Sequence, residues 1–205
     1  MNRAFLTLAV LILCAAGGWN IGSGTWIFLK AHLAQYLLER AWAQTLTGDR
    51  HVQPWPWADT WPIARLVAPR YDIDMFILAD ASGRTLAFGP GHVSSSPLPG
   101  QRGTTILNGH RDTHFRFLKD IQLGDVVRIE LPEGQHISYT ISDRKVVDVR
   151  HARIYQDPTL SRLALITCFP FDAIRAGGPL RYVIIADISP HSEGFAGLHD
   201  RNASS

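Results

Sequence analysis

"RLALITCFPFDAIRAGGPLRYVIIADI", residues 162–188, is two runs of aliphatic and β-branched residues split by a loop that holds Pro170, Gly177, Gly178 and Pro179. Such runs, bounded by Gly and Pro, read as buried strands, because branched side chains pack well on a pleated surface and Pro cannot donate to a ladder. The first run stops at Cys168 and the second opens at Arg181. If the two strands are neighbours, the end of one lies beside the start of the other, and the arginine can reach the thiol. A cation near sulfur favours the thiolate, and a guanidinium suits a developing oxyanion. Arg181 paired with an acid such as Asp172, or Arg175 from the loop in its place, are the competing readings.

Outward from this pair, the text from Tyr71 to Ile188 keeps the same character. Candidate strands are residues 72–79, 84–88, 103–109, 125–131, 136–149, 162–168 and 181–188, separated by turns such as "DASG", "QLGD" and "LPEGQ". A short helix is expected at 115–121 and a turn of helix near 157–161. Strands at this density predict a mainly β domain, a closed barrel or a sandwich.

"LNGHRDTHFRFL", residues 107–118, places His110 just past another apolar strand end, after a glycine that lets the chain turn. His110 and His114 stand four apart, which on a helix would let both bind one metal. The glutamate of the HExxH pattern is missing, and Arg111 stands in its place, where a cation opposes metal binding. "HRD" also matches the protein-kinase catalytic loop, but no Gly-rich loop accompanies it. With Cys14 and Cys168 as the two cysteines, neither a disulfide framework nor a CxxC zinc site can be built. Cys168 reads as a free thiol, either packed or reactive.

The N-terminal quarter differs. Residues 4–29, "AFLTLAVLILCAAGGWNIGSGTWIFL", carry no charge and exceed the roughly 20 residues needed to cross a bilayer. An uncleaved anchor is the reading favoured over a signal peptide, although glycines dilute its second half. Arg3 before it sets the remainder of the chain outside the cytoplasm. Residues 25–47 space Trp26, Leu29, Leu33, Tyr36, Leu37 and Arg40 as an amphipathic helix, expected to lie against the membrane or the domain. "QPWPWADTWP", residues 53–62, is a connector whose tryptophans either form an interfacial belt or pack on the domain. The expected organisation is therefore an anchor over 1–29, a helix and Pro/Trp-rich connector over 30–62, a catalytic domain over 63–189 and a flexible tail over 190–205. Twenty basic and eighteen acidic residues leave a net charge of +2, with the arginines scattered singly, which excludes a nucleic-acid-binding stripe.

"ILNGHRDTHFRFLKDIQLGD", followed 58 residues after its histidine by "LALITCFPFDAIRAGGPLRYVIIA", resembles the sortases, membrane-anchored cysteine transpeptidases. "LALITC" matches the family's TLxTC-type strand, with Ala164 where Thr is usual, and "FGPGHVSSSPLPGQRGTTILNGH" resembles the lead-in to the family's histidine. The likeness covers residues 71–189. It implies an eight-stranded β-barrel with short helices, preceded by a membrane helix, and gives His110, Cys168 and Arg181 the places of the essential histidine, cysteine and arginine. "KAHLAQYLLERAW" and "PWPWADTWP" resemble the preludes of sortases from Gram-negative proteobacteria, which implies a single-pass protein of the inner membrane with its domain in the periplasm. The implied chemistry is cleavage of a protein carrying a C-terminal LPxTG-like sorting signal, through a thioester at Cys168, and transfer to an amine acceptor of unknown identity. No cofactor and no metal are implied. Release of the acyl group to water, or an inactive membrane-tethered binding barrel, are the alternative readings.

Overall fold

The structure, a computed structural model, describes residues 3–151, 159–173 and 177–189. Eight strands close into a barrel: β1 (Pro62–Ala68), β2 (Ile73–Ala79), β3 (Gly91–His92), β4 (Gly103–Asn108), β5 (Val126–Glu130), β6 (His136–Asp148), β7 (Ser161–Cys168) and β8 (Leu180–Ile188). Their order around the wall is β1-β2-β3-β4-β7-β8-β6-β5, and β1 pairs with β5 to seal it. Closure removes the free edges that an open sheet would expose. The pairs β2–β3 and β4–β7 are parallel; the other neighbours are antiparallel.

Alternation along each strand fills the interior. Leu66, Ile77, Leu107, Ile129, Leu163 and Leu165 are fully buried in it, and Phe115, Leu118 and Ile121 of the β4–β5 connection belong to the same core. Each such side chain contributes about 1.5–3 kcal/mol by leaving water. This rigid wall is what holds the strand ends, where the candidate residues lie.

Two strands escaped the sequence pattern, and one expected strand is a turn. In "PIARLVA" (β1) the inward positions are Pro62, Ala64, Leu66 and Ala68, while Ile63, Arg65 and Val67 lie on the half-exposed face. Apart from Leu66 the core side is filled by small residues, and with Ile63 and Val67 on the opposite face the hydrophobic alternation is blurred. β3 has two residues, too few to show a period. Residues 84–88, expected as a strand, hold instead a 3-10 turn over Thr85–Ala87. The Ser82 hydroxyl accepts from the Thr85 amide (3.4 Å), and the Leu86 amide donates to the Ser82 carbonyl (3.0 Å), a local pattern that competes with a ladder. The helix expected at 115–121 is a 3-10 turn over Arg116–Lys119. Of the expected turn at 157–161, Asp157 and Pro158 lie outside the described residues, as does the expected tail from Pro190, and Ser161 already belongs to β7.

One helix, α1 (Arg3–Leu46), runs through the boundary expected at residue 29. Its 44 residues span about 66 Å at 1.5 Å per residue, and the stretch from Val10, with mean hydropathy 1.3, is long and apolar enough to cross a membrane. Its C-terminal part docks on the barrel through Ala34, Leu38, Ala41 and Trp42, with Trp42 against Phe76 at 6.2 Å and Gln35 Nε2 donating to the Phe88 carbonyl at 2.9 Å. Of the expected apolar face, Trp26, Leu33 and Tyr36 are exposed, so that face is not the one that docks on the domain. The docking stripe uses alanines, whose small side chains permit close approach of helix to sheet. In the connector, Trp55 packs on Phe88 (4.9 Å) and Trp61 on His51 (4.6 Å), whereas Trp57 is exposed.

Candidate active site

Strand register brings the three motif residues to one end of the barrel. β4 and β7 run parallel with Asn108 opposite Ile166, so the chain leaves both strands on the same side: at Gly109–His110 from one and at Cys168 from the other. Across the β7–β8 pair, Cys168 stands directly opposite Arg181. Opposed residues in an antiparallel pair share a face, with Cβ atoms roughly 4.5–5.5 Å apart. Leu163 and Leu165 point to the core, so Cys168, in the alternate phase of the same strand, faces outward. Cys168 is half-buried and His110 exposed.

Local chemistry fixes the two strand ends. Thr167, buried on the inward phase, donates its hydroxyl to the Gly109 carbonyl (2.8 Å), and the Gly109 amide donates to the Ile166 carbonyl (3.1 Å). A Cβ at Gly109 would lie 2.6 Å from Cγ of the buried Phe115; only glycine fits there. The amides of Thr113 and Phe115 donate back to the His110 carbonyl at 3.4 and 3.0 Å. Residues 111–115 are therefore turns, not the helix that a His110–His114 metal pair would need. His114 is half-buried, and burial, aided by the nearby His110, pushes its pKa down.

After Cys168 the chain turns through Phe169 and Pro170, joined by a cis peptide bond. Phe169 and Phe171 both pack on Tyr182, at 6.2 and 5.3 Å between ring centroids, and Phe171 and Tyr182 rest against the core. Arg181 Nη1 donates to the carbonyls of Gly178 (2.8 Å) and Leu180 (2.9 Å). Its backbone is where the sequence expected it, while its guanidinium binds its own loop. Arg175, the rival arginine, lies outside the described residues.

The residue that sequence reasoning passed over is Arg111. Taken there only as an obstacle to metal binding, it is 5% exposed and donates to the carbonyls of Pro170 (2.6 Å) and Ala173 (2.9 Å), while Nε meets Asp112 Oδ1 at 2.9 Å. The hydrogen bond to Asp112 is the main cause that raises its pKa; burial opposes this, and charge on Asp112, Cys168 and Asp172 adds to it. Reciprocally, the Arg111 hydrogen bond holds Asp112 below the usual carboxylate range. Between the two loops lies a pocket of about 390 Å³ lined by Arg111, Asp112, Arg116, Lys119, Phe171 and Asp172. The signal available in the sequence was its place next to His110; its long-range partners are backbone carbonyls, which leave no mark on side-chain identity.

The family model described as "Sortase: Sortase domain" matches residues 66–189. Sortase D of Bacillus subtilis (strain 168) is 32% identical over 120 residues, 58% of this chain and 60% of that relative, so the match spans three fifths of the relative's length. Among solved structures, sortase C-1 of Actinomyces oris is 27% identical with a TM-score of 0.56, over 63% of this chain and 75% of that one. A sortase D5 transpeptidase of Clostridium perfringens superposes with a TM-score of 0.56 over 74% of this chain and 88% of that one; at 20% identity the likeness speaks to the fold alone.

Proposed function

The chain belongs to the sortase family, and from that premise we propose that it is a cysteine transpeptidase in which Cys168 is the nucleophile, His110 the acid/base and Arg181 the oxyanion donor. The observation that carries this reading is the register across β4, β7 and β8, which sets the three residues on adjacent strand ends around an outward-facing thiol.

The sulfur of Cys168, as thiolate, attacks the carbonyl carbon of a Thr-Gly peptide bond in an LPxTG-like signal near the C-terminus of a protein substrate. Negative charge moves to the carbonyl oxygen, where Arg181, freed from its loop carbonyls, donates to it. As the tetrahedral species collapses the C–N bond breaks, and protonated His110 gives its proton to the departing amine. The product is a thioester on Cys168. An incoming amine then attacks that carbonyl and loses its proton to His110; the C–S bond breaks and the thiolate returns. The chemistry needs no cofactor.

The apolar half of α1 is the membrane anchor in this reading. By their likeness to the preludes of Gram-negative sortases, α1 and the Pro/Trp-rich connector set the protein in the inner membrane with residues 63–189 in the periplasm.

The full-length protein in a neutral detergent, given a sorting-signal peptide and an amine acceptor, is expected to yield ligated product and a peptide mass adduct on Cys168. Turnover that persists in Cys168→Ala overturns the assignment. Product that is hydrolysed at every acceptor concentration favours the thiol-peptidase reading, and failure of a peptidyl electrophile to label Cys168 favours the binding barrel.

A further inference from the structure

We propose that Arg111 is a positioning residue of the acyl-transfer site: it clamps the loop after Cys168 onto the loop of His110 and keeps a positive charge beside the thiol. The kinetic part of this inference rests on the transpeptidase reading; the charge at the thiol can be tested without it.

A guanidinium presents five N–H donors in a planar fork. Arg111 directs them to three places at once: Nη1 to Pro170 O (2.6 Å), Nη2 to Ala173 O (2.9 Å), and Nε and Nη2 to Asp112 Oδ1 (2.9 Å) and Oδ2 (3.2 Å). Both carbonyls fall within five residues of Cys168, in an irregular stretch where they lack ladder partners. Pro170 O also accepts from the Ala173 amide (3.4 Å), and Arg111, buried at 5% exposure, gives each of the two carbonyls a charged donor. Because Arg111 follows His110 directly, its backbone is held by the hydrogen bonds that close the chain over the His110 carbonyl. The side chain thus ties one strand end to the other.

Lysine cannot substitute for this geometry, since one ammonium does not span two carbonyls and a carboxylate in a fixed plane. The Asp112 carboxylate is mostly exposed, at 68%, so water screens it, whereas the guanidinium lies inside the loop junction. Nη1 meets the carbonyl of Pro170, two residues past Cys168, at 2.6 Å, so the guanidinium sits against the loop that carries the thiol, in keeping with the influence of Cys168 on its pKa. Arg181 and Arg111 then divide the work. Arg181 stands opposite the thiol with donors that must be released from Gly178 and Leu180, while Arg111 is fixed in place.

The test compares alkylation of Cys168 by iodoacetate and by iodoacetamide in the full-length protein in neutral detergent, with peptide mapping to separate Cys168 from Cys14. The ratio of the two rates reports local potential and cancels differences in access. In a mostly aqueous setting, loss of one charge from the loop junction behind the thiol is expected to change it roughly threefold. Arg111→Gln is expected to lower the ratio by that factor, Arg111→Lys to restore it, and Asp112→Asn, which keeps the loop bonds, to raise it. In transpeptidation, Arg111→Gln is expected to lower kcat about 10- to 100-fold, the range for a displacement near 1 Å, with donor KM within about twofold; Arg111→Lys recovers only part. A ratio unchanged in both Arg111→Gln and Asp112→Asn overturns the proposal, as does Arg111→Gln that loses thermal stability with kcat intact. If wild type transfers no acyl group while the ratio shifts as stated, the function assigned to the site fails and the charge at the thiol stands.

Discussion

Arg65 and Arg111 sit on different sides of the barrel and are satisfied in different ways. On the β2–β1–β5 flank, Arg65 bridges Asp74 of β2 and Glu130 of β5, and His136 approaches the same Glu130 at 3.8 Å. Next to it, the buried Asp125 accepts from Arg70, from the Tyr71 hydroxyl and from the Gln122 amide. There, charges are satisfied chiefly by other side chains. At the β4–β7–β8 end, Arg111 and Arg181 donate to loop carbonyls, and neither Cys168 nor His110 makes a side-chain hydrogen bond among the described residues. One region uses charge to hold strands together. The other uses it to shape backbone around Cys168 and His110, whose side chains remain uncommitted.

Four substitutions test whether the two regions differ in this way. The largest effect is expected from His110→Ala, which should lower transpeptidation by about 10²–10⁴-fold, the usual worth of a positioned acid/base. Its thermal midpoint should stay within a few degrees, since nothing in the fold leans on the imidazole; a large loss of stability would place His110 with the structural charges.

Next is Gly109→Ala. Its Cβ meets the buried ring of Phe115, so overpacking should cost about 1–3 kcal/mol and displace His110. Urea unfolding and kcat should fall together, and an unperturbed variant would show that the turn is softer than the contacts imply.

Asp125→Ala should cost about 2 kcal/mol, by removing the buried charged acceptor that Arg70, the Tyr71 hydroxyl and the Gln122 amide share, with activity of the folded protein unchanged. Burial pushes the Asp125 carboxyl up, but hydrogen bonds from Tyr71 and the Gln122 amide, with the Arg70 charge, outweigh it and hold it below its ordinary value. A carboxylate whose folded pKa is depressed stabilises fully above its unfolded pKa near 4 and loses that contribution as pH falls through the lower folded value. The gap in urea midpoint between wild type and variant should therefore narrow on acidification below about pH 4. A gap that widens would reverse the sign argued here.

Arg65→Met is expected to be the mildest, less than about 1 kcal/mol and smaller still in high salt, since the pair with Asp74 is exposed. A loss of transpeptidase rate in this variant would dissolve the distinction between the two flanks.

Much of the barrel was legible because long, strongly patterned strands announce themselves. β6, β7 and β8 start and stop within a residue of where apolar runs meet turn residues, and Cys168 ends one of them as read. β1 was not legible, since only Leu66 among its inward positions is large, while Ile63 and Val67 lie on the other face. The docking face of α1 was not legible either, because two of its four buried positions, Ala34 and Ala41, carry little hydrophobic signal.

What the sequence by itself determined is local: which segments prefer extended backbone, where Gly and Pro end them, and that a thiol, an imidazole and a guanidinium stand at such ends. Pairing decided the rest. Only the parallel register of β4 with β7 and the antiparallel register of β7 with β8 put residues 58 and 13 positions apart in the chain at one end of the wall. Arg111 joined them through carbonyls that every residue type carries. A backbone acceptor has no letter in the sequence, so its partner could be recognised only once the chain had folded around it.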